Sequence, residues 1–115
     1  MVKLESLKKS NQFKKALKEK RVHSEYFSIF AAKNFYKPKY KDNLLISFVM
    51  KKKIGNAVKR NKIRRKLKAI VQKLLKKRGA ISKDYTYIVF GKSNAYTEKQ
   101  NILMPEMIKS FNKIK

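Results

Sequence analysis

The stretch Lys51–Lys68 reads KKKIGNAVKRNKIRRKLK, and ten of its eighteen residues are Lys or Arg while none is acidic. Apolar residues recur in this stretch and just beyond it at helical spacing, at Ile63, Leu67, Ile70 and Leu74. At about 100° per residue, these four side chains form a stripe roughly 60° wide. The stretch therefore predicts an ordered helix with one buried face and one positively charged face.

The opposite side of this helix carries polar and charged side chains that could meet a partner. They fall on an arc of roughly 100° and comprise Asn61, Arg64, Arg65 and Lys68, with Arg60 at the border. Arg suits a bidentate phosphate contact better than Lys, because its guanidinium is planar. The alternative is a solvated face that keeps the protein soluble. No Asp or Glu occurs from residue 43 to residue 83, which solubility alone would not require.

The composition of the whole chain predicts a partner of negative charge. The 115 residues include 32 Lys or Arg and 7 Asp or Glu, which gives a formal net charge of +25. The like charges of such a domain repel one another, so the domain is expected to bind a polyanion. Nucleic acid, an anionic membrane surface and an acidic protein are the candidates. Basic residues run along the whole chain, which favours a domain embedded in RNA.

Other classes of protein are made less plausible by what the chain lacks. There is no cysteine, so disulfides and thiolate metal sites are excluded. The N-terminal residues MVKLESLKKS contain no apolar segment of the secretory type. No apolar run approaches the length of a membrane span. These features predict a cytoplasmic protein that does not associate with membranes.

The order of elements predicts one α+β domain over residues 1–115, an α-β sandwich in the order α-β-β-α-β-α. The predicted helices cover about residues 11–18, 57–78 and 105 onward, and the predicted strands cover about residues 26–32, 44–50 and 85–90. An extra strand near Val22 is possible. Asn56 is a suitable N-cap for the long helix, and Gly79 suits the position after its end. Pro105 is expected to prevent a continuous helix before it.

The run Lys53–Arg65, KIGNAVKRNKIRR, resembles the signature of the bacterial ribonuclease P protein subunit. In that family an Arg-Asn-Arg motif on a long helix follows a Lys-Ile-Gly-x-Ala-Val stretch. An early LKK-x-x-x-F segment (Leu7–Phe13) and a strand after Asp84 agree more loosely with the family pattern. Two family arginines are replaced by Lys62 and Lys68, which keep the charge but lose the planar fork.

The resemblance implies a fold, an activity and a set of partners. The family fold has a left-handed β-α-β crossover around the basic helix, against the usual right-handed rule. The family's protein assists a catalytic RNA, which holds the Mg²⁺ ions, in cutting the 5′ leader from precursor tRNA. The implied partners are that RNA and precursor tRNA, with no obligate protein partner and no cofactor bound by this chain alone. The implied RNA-binding residues are Lys52, Lys53, Arg60, Asn61, Lys62, Arg64, Arg65 and Lys68.

The resemblance also implies a cleft between the first helix and the sheet that holds the single-stranded leader. The matching residues are Phe13, Leu17 and Phe30. Aromatic rings offer stacking faces that tolerate any base, and Leu17 replaces an aromatic residue of the family. Core packing on the sheet is the alternative for Phe13 and Leu17. Phe30 lies on the strand face opposite Ile29, so its exposure depends on the register of the sheet.

The sequence offers no constellation for bond chemistry by the protein itself. His23 is its one histidine, and its seven acidic residues are scattered, with no pair spaced for a two-metal site. We therefore expect no catalytic and no metal-binding residue in this chain. A structural RNA-binding protein of the ribosomal type is the main alternative function. A peripheral membrane protein is disfavoured, because its interfacial helix would want Trp and the chain has none.

Overall fold

The computed structural model describes residues 4–7, 10–33, 43–77, 79–82 and 84–114. Within these ranges the chain forms five strands, three α-helices and two short 3₁₀ turns. The strands are β1 (Leu4–Glu5), β2 (Lys20–His23), β3 (Phe27–Lys33), β4 (Leu44–Val49) and β5 (Tyr85–Gly91). The α-helices are α1 (Ser10–Ala16), α2 (Ala57–Leu75) and α3 (Gln100–Ile114), and the 3₁₀ turns are Lys52–Ile54 and Ser93–Ala95.

The five strands form one mixed sheet in the order β1-β4-β5-β3-β2. β4 is parallel to both β1 and β5, whereas β3 is antiparallel to β5 and β2. The parallel neighbours β4 and β5 are joined through α2, which makes the β-α-β unit expected from the family resemblance. The mixed α+β prediction is confirmed, and the possible strand near Val22 is present as β2.

Helices cover both faces of the sheet. On one face α2 and α3 build the main core, in which Ile63 and Leu103 join Phe27 and Tyr87 of the sheet. On the other face a smaller cluster gathers around Ala16 of α1. Its other buried members are Leu7, Leu45 and Ile88. Burial from both sides explains why β4 (LLISFV) is almost wholly apolar and does not alternate.

The long basic helix begins where the sequence predicts and ends earlier. The Asn56 side chain accepts a hydrogen bond from the backbone N–H of Lys59 at 3.0 Å, which confirms the N-cap. The helix ends at Leu75, although the prediction extended it to residue 78. Leu74 is the last buried side chain of the stripe, and the exposed lysines after it have nothing to pack against. Without tertiary burial, helical propensity alone does not extend the helix.

The prediction that the last helix starts at Pro105 is wrong. The structure has one continuous helix, α3, over Gln100–Ile114 with Pro105 inside it. An interior proline costs about 3 kcal/mol relative to Ala. Buried side chains on both sides of it share one stripe, namely Leu103, Met107, Phe111 and Ile114. Fully burying each such side chain contributes about 1.5–3 kcal/mol, so the packing outweighs the proline.

Gly91 of β5 lies against Ile63 of α2 and Met50 with no room for a side chain. It is the last residue of β5 and pairs with Phe27, so the strand includes this glycine and does not end before it. A Cβ placed at Gly91 would lie 2.8 Å from Cγ2 of Ile63 and would also clash with Met50. We expect Gly91→Ala to lower the free energy of unfolding by about 1–3 kcal/mol through overpacking. Urea denaturation checks this, and an unchanged midpoint would contradict it.

Candidate nucleic-acid interface

The basic side of α2 is displayed to solvent as the sequence predicts. The predicted RNA-binding side chains that are exposed are Lys52, Lys53, Asn61, Lys62, Arg64, Arg65 and Lys68. Arg60 is half-buried, and its Nε is buried without a hydrogen-bond partner among the described residues. We call Arg60, Asn61, Arg64, Arg65 and Lys68 the basic face. A partner that reaches Arg60 could satisfy a donor that the described residues leave unpaired.

Part of the basic face is already ordered before any partner binds. Arg64 Nη1 donates to the Oδ1 of Asn61, one turn earlier on the helix, at 2.8 Å. This contact uses one of the five N–H donors of the guanidinium and leaves the others available. Arg65 and Lys68 extend the exposed positive charge along the helix. The arrangement suits the anionic oxygens of a phosphate backbone, which rigid guanidinium donors recognise well.

Lys62 differs from the other predicted RNA-binding residues. Its ammonium lies 4.8 Å from the centroid of the Tyr96 ring, and the Lys59 ammonium lies 5.3 Å from the same ring. The Lys59 Nζ also donates to the Oγ of Ser93 at 2.8 Å. Both lysines therefore contact the segment between β5 and α3. The structure separates Lys62 from the basic face, although it remains exposed.

Lys66, which the sequence interpretation did not single out, is held by three backbone carbonyls of the same segment. Its Nζ donates to the carbonyl oxygens of Ala95 at 3.3 Å, Tyr96 at 2.5 Å and Glu98 at 2.9 Å. Burial lowers the pKa of the Lys66 ammonium and the Lys62 charge lowers it further, while the Glu98 carboxylate opposes both. The sequence could have predicted that these lysines share one side of the helix, because Lys59, Lys62 and Lys66 are spaced at i, i+3 and i+7.

A cleft of about 550 Å³ opens on the sheet face that α1 only partly covers. Its floor is apolar and aromatic, and lysines lie on its rim. The lining residues are Leu17, His23, Ser28, Phe30, Lys51, Lys53, Ile54, Phe90, Gly91, Lys92 and Ser93. An apolar floor with a cationic rim suits nucleotides, because bases stack on aromatic rings while phosphates meet cations.

The aromatic floor has a defined geometry. The rings of Phe30 and Phe90 meet edge to face at 5.4 Å, and His23 meets Phe30 edge to face at 5.8 Å. Nδ1 of His23 lies 2.7 Å from the Oγ of Ser28, which fixes the imidazole at the cleft wall. The Lys51 ammonium lies 5.6 Å from the centre of the Phe90 ring. The half-buried Phe30 and Phe90 rings thus offer contact area without having to reorganise.

The structure brings two of the three predicted leader-binding residues together. Leu17, which is 38% exposed, and Phe30 line the cleft. Phe13 is half-buried, packs against the smaller core cluster and is not among the lining residues. This position favours core packing for Phe13, and its role in leader binding stays a prediction. The register of the sheet also settles the face on which Phe30 lies, which the sequence left open.

Phe90 is a cleft residue that the sequence interpretation missed. It lies in β5 opposite Ser28, and on the same sheet face as Phe30. The alternation of Tyr85–Gly91 could have shown that Phe90 and Tyr87 point to opposite faces. That alternation could not show which strand neighbours β5, and therefore which side chain the Phe90 ring meets.

The cleft and the basic face form one continuous surface. Lys51, Lys53 and Ile54 line the cleft, and the 3₁₀ turn Lys52–Ile54 leads into α2 through Gly55 and Asn56. Gly55 has φ +155°, and a Cβ there would lie 2.8 Å from Cδ of Lys59, so a larger residue would strain this link. The 3₁₀ turn thus links the lining of the cleft directly to the first turn of α2.

No group of three His, Asp or Glu side chains that could hold a metal ion occurs within the described ranges. His23 is exposed on the edge strand β2 and contacts a serine and a phenylalanine, with no acidic partner among the described residues. None of the described helices is both long enough and apolar enough to span a bilayer.

Comparison with known proteins agrees with this fold. A model of the family Ribonuclease P matches residues 1–115. The ribonuclease P protein component of Mycoplasma mycoides subsp. mycoides SC is 29% identical over 109 residues, covering 95% of this chain and 94% of the relative.

Two solved structures of bacterial proteins share the fold. The RNase P protein from Thermotoga maritima superimposes with a TM-score of 0.75 at 22% identity, over 96% of this chain and 98% of that chain. The Staphylococcus aureus RNase P protein gives a TM-score of 0.70 at 21% identity, over 96% of this chain and 94% of that chain.

Proposed function

This chain belongs to the ribonuclease P protein family, and on that premise we propose that it is the protein subunit of a ribonuclease P ribonucleoprotein, which removes the 5′ leader from precursor tRNA. Its basic face and the lysines of the 3₁₀ turn Lys52–Ile54 bind the catalytic RNA. Its cleft binds the single-stranded leader of precursor tRNA. The complex acts in the cytoplasm, and the protein needs neither a membrane nor an obligate protein partner.

The observation that carries this proposal is the continuity of two chemically different surfaces. The basic face offers Arg and Lys donors that suit the phosphates of a folded RNA. The cleft offers the Phe30 and Phe90 rings, which suit the splayed bases of a single strand. The turn Lys52–Ile54 connects them. A protein that holds a structured RNA and a single-stranded substrate side by side requires this combination.

The protein's contribution to cleavage is electrostatic and positional. Its net charge of +25 offsets the repulsion between two RNA backbones that must come together. Without that charge, more Mg²⁺ is needed to screen the same repulsion. We therefore propose that the protein lowers the Mg²⁺ requirement of the complex. The catalytic RNA holds the metal ions, and this chain contributes no acid, base or metal ligand to the bond-breaking step.

A reconstituted cleavage assay tests the proposed function. Catalytic RNA from a related bacterium is mixed with this protein and precursor tRNA at a Mg²⁺ concentration at which the RNA alone is nearly inactive. We expect cleavage at the mature 5′ end only when both RNA and protein are present, because the protein offsets the phosphate repulsion. Raising the Mg²⁺ concentration is expected to restore cleavage by the RNA alone.

The same assay separates the alternatives. A structural RNA-binding protein of the ribosomal type would bind RNA with a similar salt dependence but would not rescue cleavage at low Mg²⁺. Cleavage of precursor tRNA by the purified, RNA-free protein would show that the chain has catalytic groups of its own. Either result would overturn the proposed function.

A further inference from the structure

The segment between β5 and α3, residues 92–99, lies between one wall of the cleft and α2, and we call it the connector. On one side of the connector, Lys92 and Ser93 line the cleft. On its other side, the Tyr96 ring faces two ammonium groups of α2. The position of the connector therefore sets the distance between the cleft wall and the basic face.

Three lysines on one side of α2 reach the connector, and we call Lys59, Lys62 and Lys66 the lysine seam. Lys59 donates to Ser93, while both Lys59 and Lys62 lie over Tyr96. Bringing three cations together on one side of a helix is unfavourable by itself, because like charges repel. Their contacts with the hydroxyl, ring and carbonyl groups of the connector offset this repulsion.

Of the three lysines in the lysine seam, Lys66 makes the most hydrogen bonds to the connector. An ammonium group has three N–H donors, and the three carbonyl oxygens of Ala95, Tyr96 and Glu98 provide one acceptor for each. These carbonyls belong to the 3₁₀ turn Ser93–Ala95 and the residues just after it. In contrast, Lys59 and Lys62 make side-chain contacts, which can re-form in more than one geometry.

We propose that Lys66 is a positioning residue that couples the two binding surfaces. Its ammonium holds the connector against α2, which fixes Ser93 and Lys92 of the cleft wall relative to the basic face. This inference rests on the proposed function, because the coupling matters only if catalytic RNA and leader bind together. If the connector is released from α2, the leader and the catalytic RNA could still bind, but their positions relative to each other would no longer be fixed.

The test replaces Lys66 with Met, which keeps the unbranched chain but removes all three donors. Lys73→Met is the matched control. Lys73 lies seven residues later on α2, and its Nζ donates to Oε1 of Gln100, just beyond the connector, at 2.8 Å. Lys66→Arg restores a charged donor at the same position. Each variant is reconstituted with catalytic RNA, and dissociation constants are measured for precursor tRNA and for mature tRNA.

The ratio of these two dissociation constants measures leader discrimination. The ratio is the dissociation constant for mature tRNA divided by that for precursor tRNA. We expect Lys66→Met to lower it by about fivefold, which is at the lower end of typical coupling between sites. Lys73→Met should leave the ratio unchanged, and Lys66→Arg should recover part of the loss. In the free protein, amide hydrogen exchange of residues 93–98 should accelerate in Lys66→Met and not in Lys73→Met.

The outcomes distinguish a failure of this proposal from a failure of the proposed function. If the unmodified protein discriminates between the two tRNAs and folded Lys66→Met does so equally well, the coupling role is overturned while the proposed function stands. If the unmodified complex does not discriminate, both fail. Should Lys66→Met not fold, Lys66→Gln provides the same comparison, because its amide retains only two N–H donors.

Discussion

Replacing Arg60, Arg64 and Arg65 together with Ala should weaken assembly with the catalytic RNA by about 10³-fold. A hydrogen bond to a charged group is worth about 1.5–3 kcal/mol, and three at the lower bound amount to about 4.5 kcal/mol. The fold should persist, because Arg64 and Arg65 are exposed and the half-buried Arg60 is not one of the buried residues of α2. Gel-shift titration of the catalytic RNA measures the affinity, and circular dichroism checks the fold.

A second triple variant tests whether a loss of affinity comes from the particular arginines of the basic face or only from the lower net charge. Lys99, Lys109 and Lys113 are exposed on α3 or just before it, so their replacement by Ala removes the same amount of charge. The arginine variant should also show a shallower salt dependence, because each lost phosphate contact reduces the log–log slope by about 0.7–0.9. Equal loss of affinity in both triple variants would mean that the basic face is not the site of assembly.

Phe30→Ala and Phe90→Ala are each expected to weaken binding of precursor tRNA while leaving mature tRNA binding nearly unchanged. Base–aromatic stacking is worth about 1–3 kcal/mol per base, which corresponds to about 5- to 150-fold in affinity. The two rings meet edge to face and line one cleft, so their effects should not be additive. The measurement is the dissociation constant of the reconstituted complex for each tRNA.

Phe13→Ala provides the comparison for the two cleft variants. Phe13 packs against the same small core cluster but does not line the cleft. Damage to the core should lower thermal stability and affect both tRNAs alike. If Phe30→Ala and Phe90→Ala also weaken the two tRNAs equally, they act through the core, and leader stacking is refuted. A leader-specific loss in Phe13→Ala would instead support the assignment made from the family resemblance.

Pro105 shows that tertiary packing can override a local sequence rule in this chain. The sequence placed the start of the last helix at this residue, since proline lacks an N–H and clashes with the preceding turn. The structure continues the helix through it because Leu103 and Met107, on either side, are both buried. The proline penalty is local, whereas the compensating burial belongs to the assembled core and cannot be read from a local pattern.

The sequence by itself determined the basic helix and the family to which the chain belongs. Helical periodicity is local, so the stripe of Ile63 and Leu67, the Asn56 N-cap and the exposed arginines could all be predicted from neighbouring residues. The motif Lys53–Arg65 identified the family, and the family match over residues 1–115 agrees with it. The mixed order of helices and strands followed in the same way from local patterns.

Only the tertiary structure decided that Phe90 joins Leu17 and Phe30 in the cleft, and that three lysines of α2 form the lysine seam. The cleft joins Leu17, Phe30 and Phe90, which lie far apart in the chain and meet through the register of β3 and β5. Lys66 meets its carbonyl partners across some thirty residues, because α2 and the connector pack together. Contacts of this kind depend on the order and pairing of strands, which result from the burial of both sheet faces together.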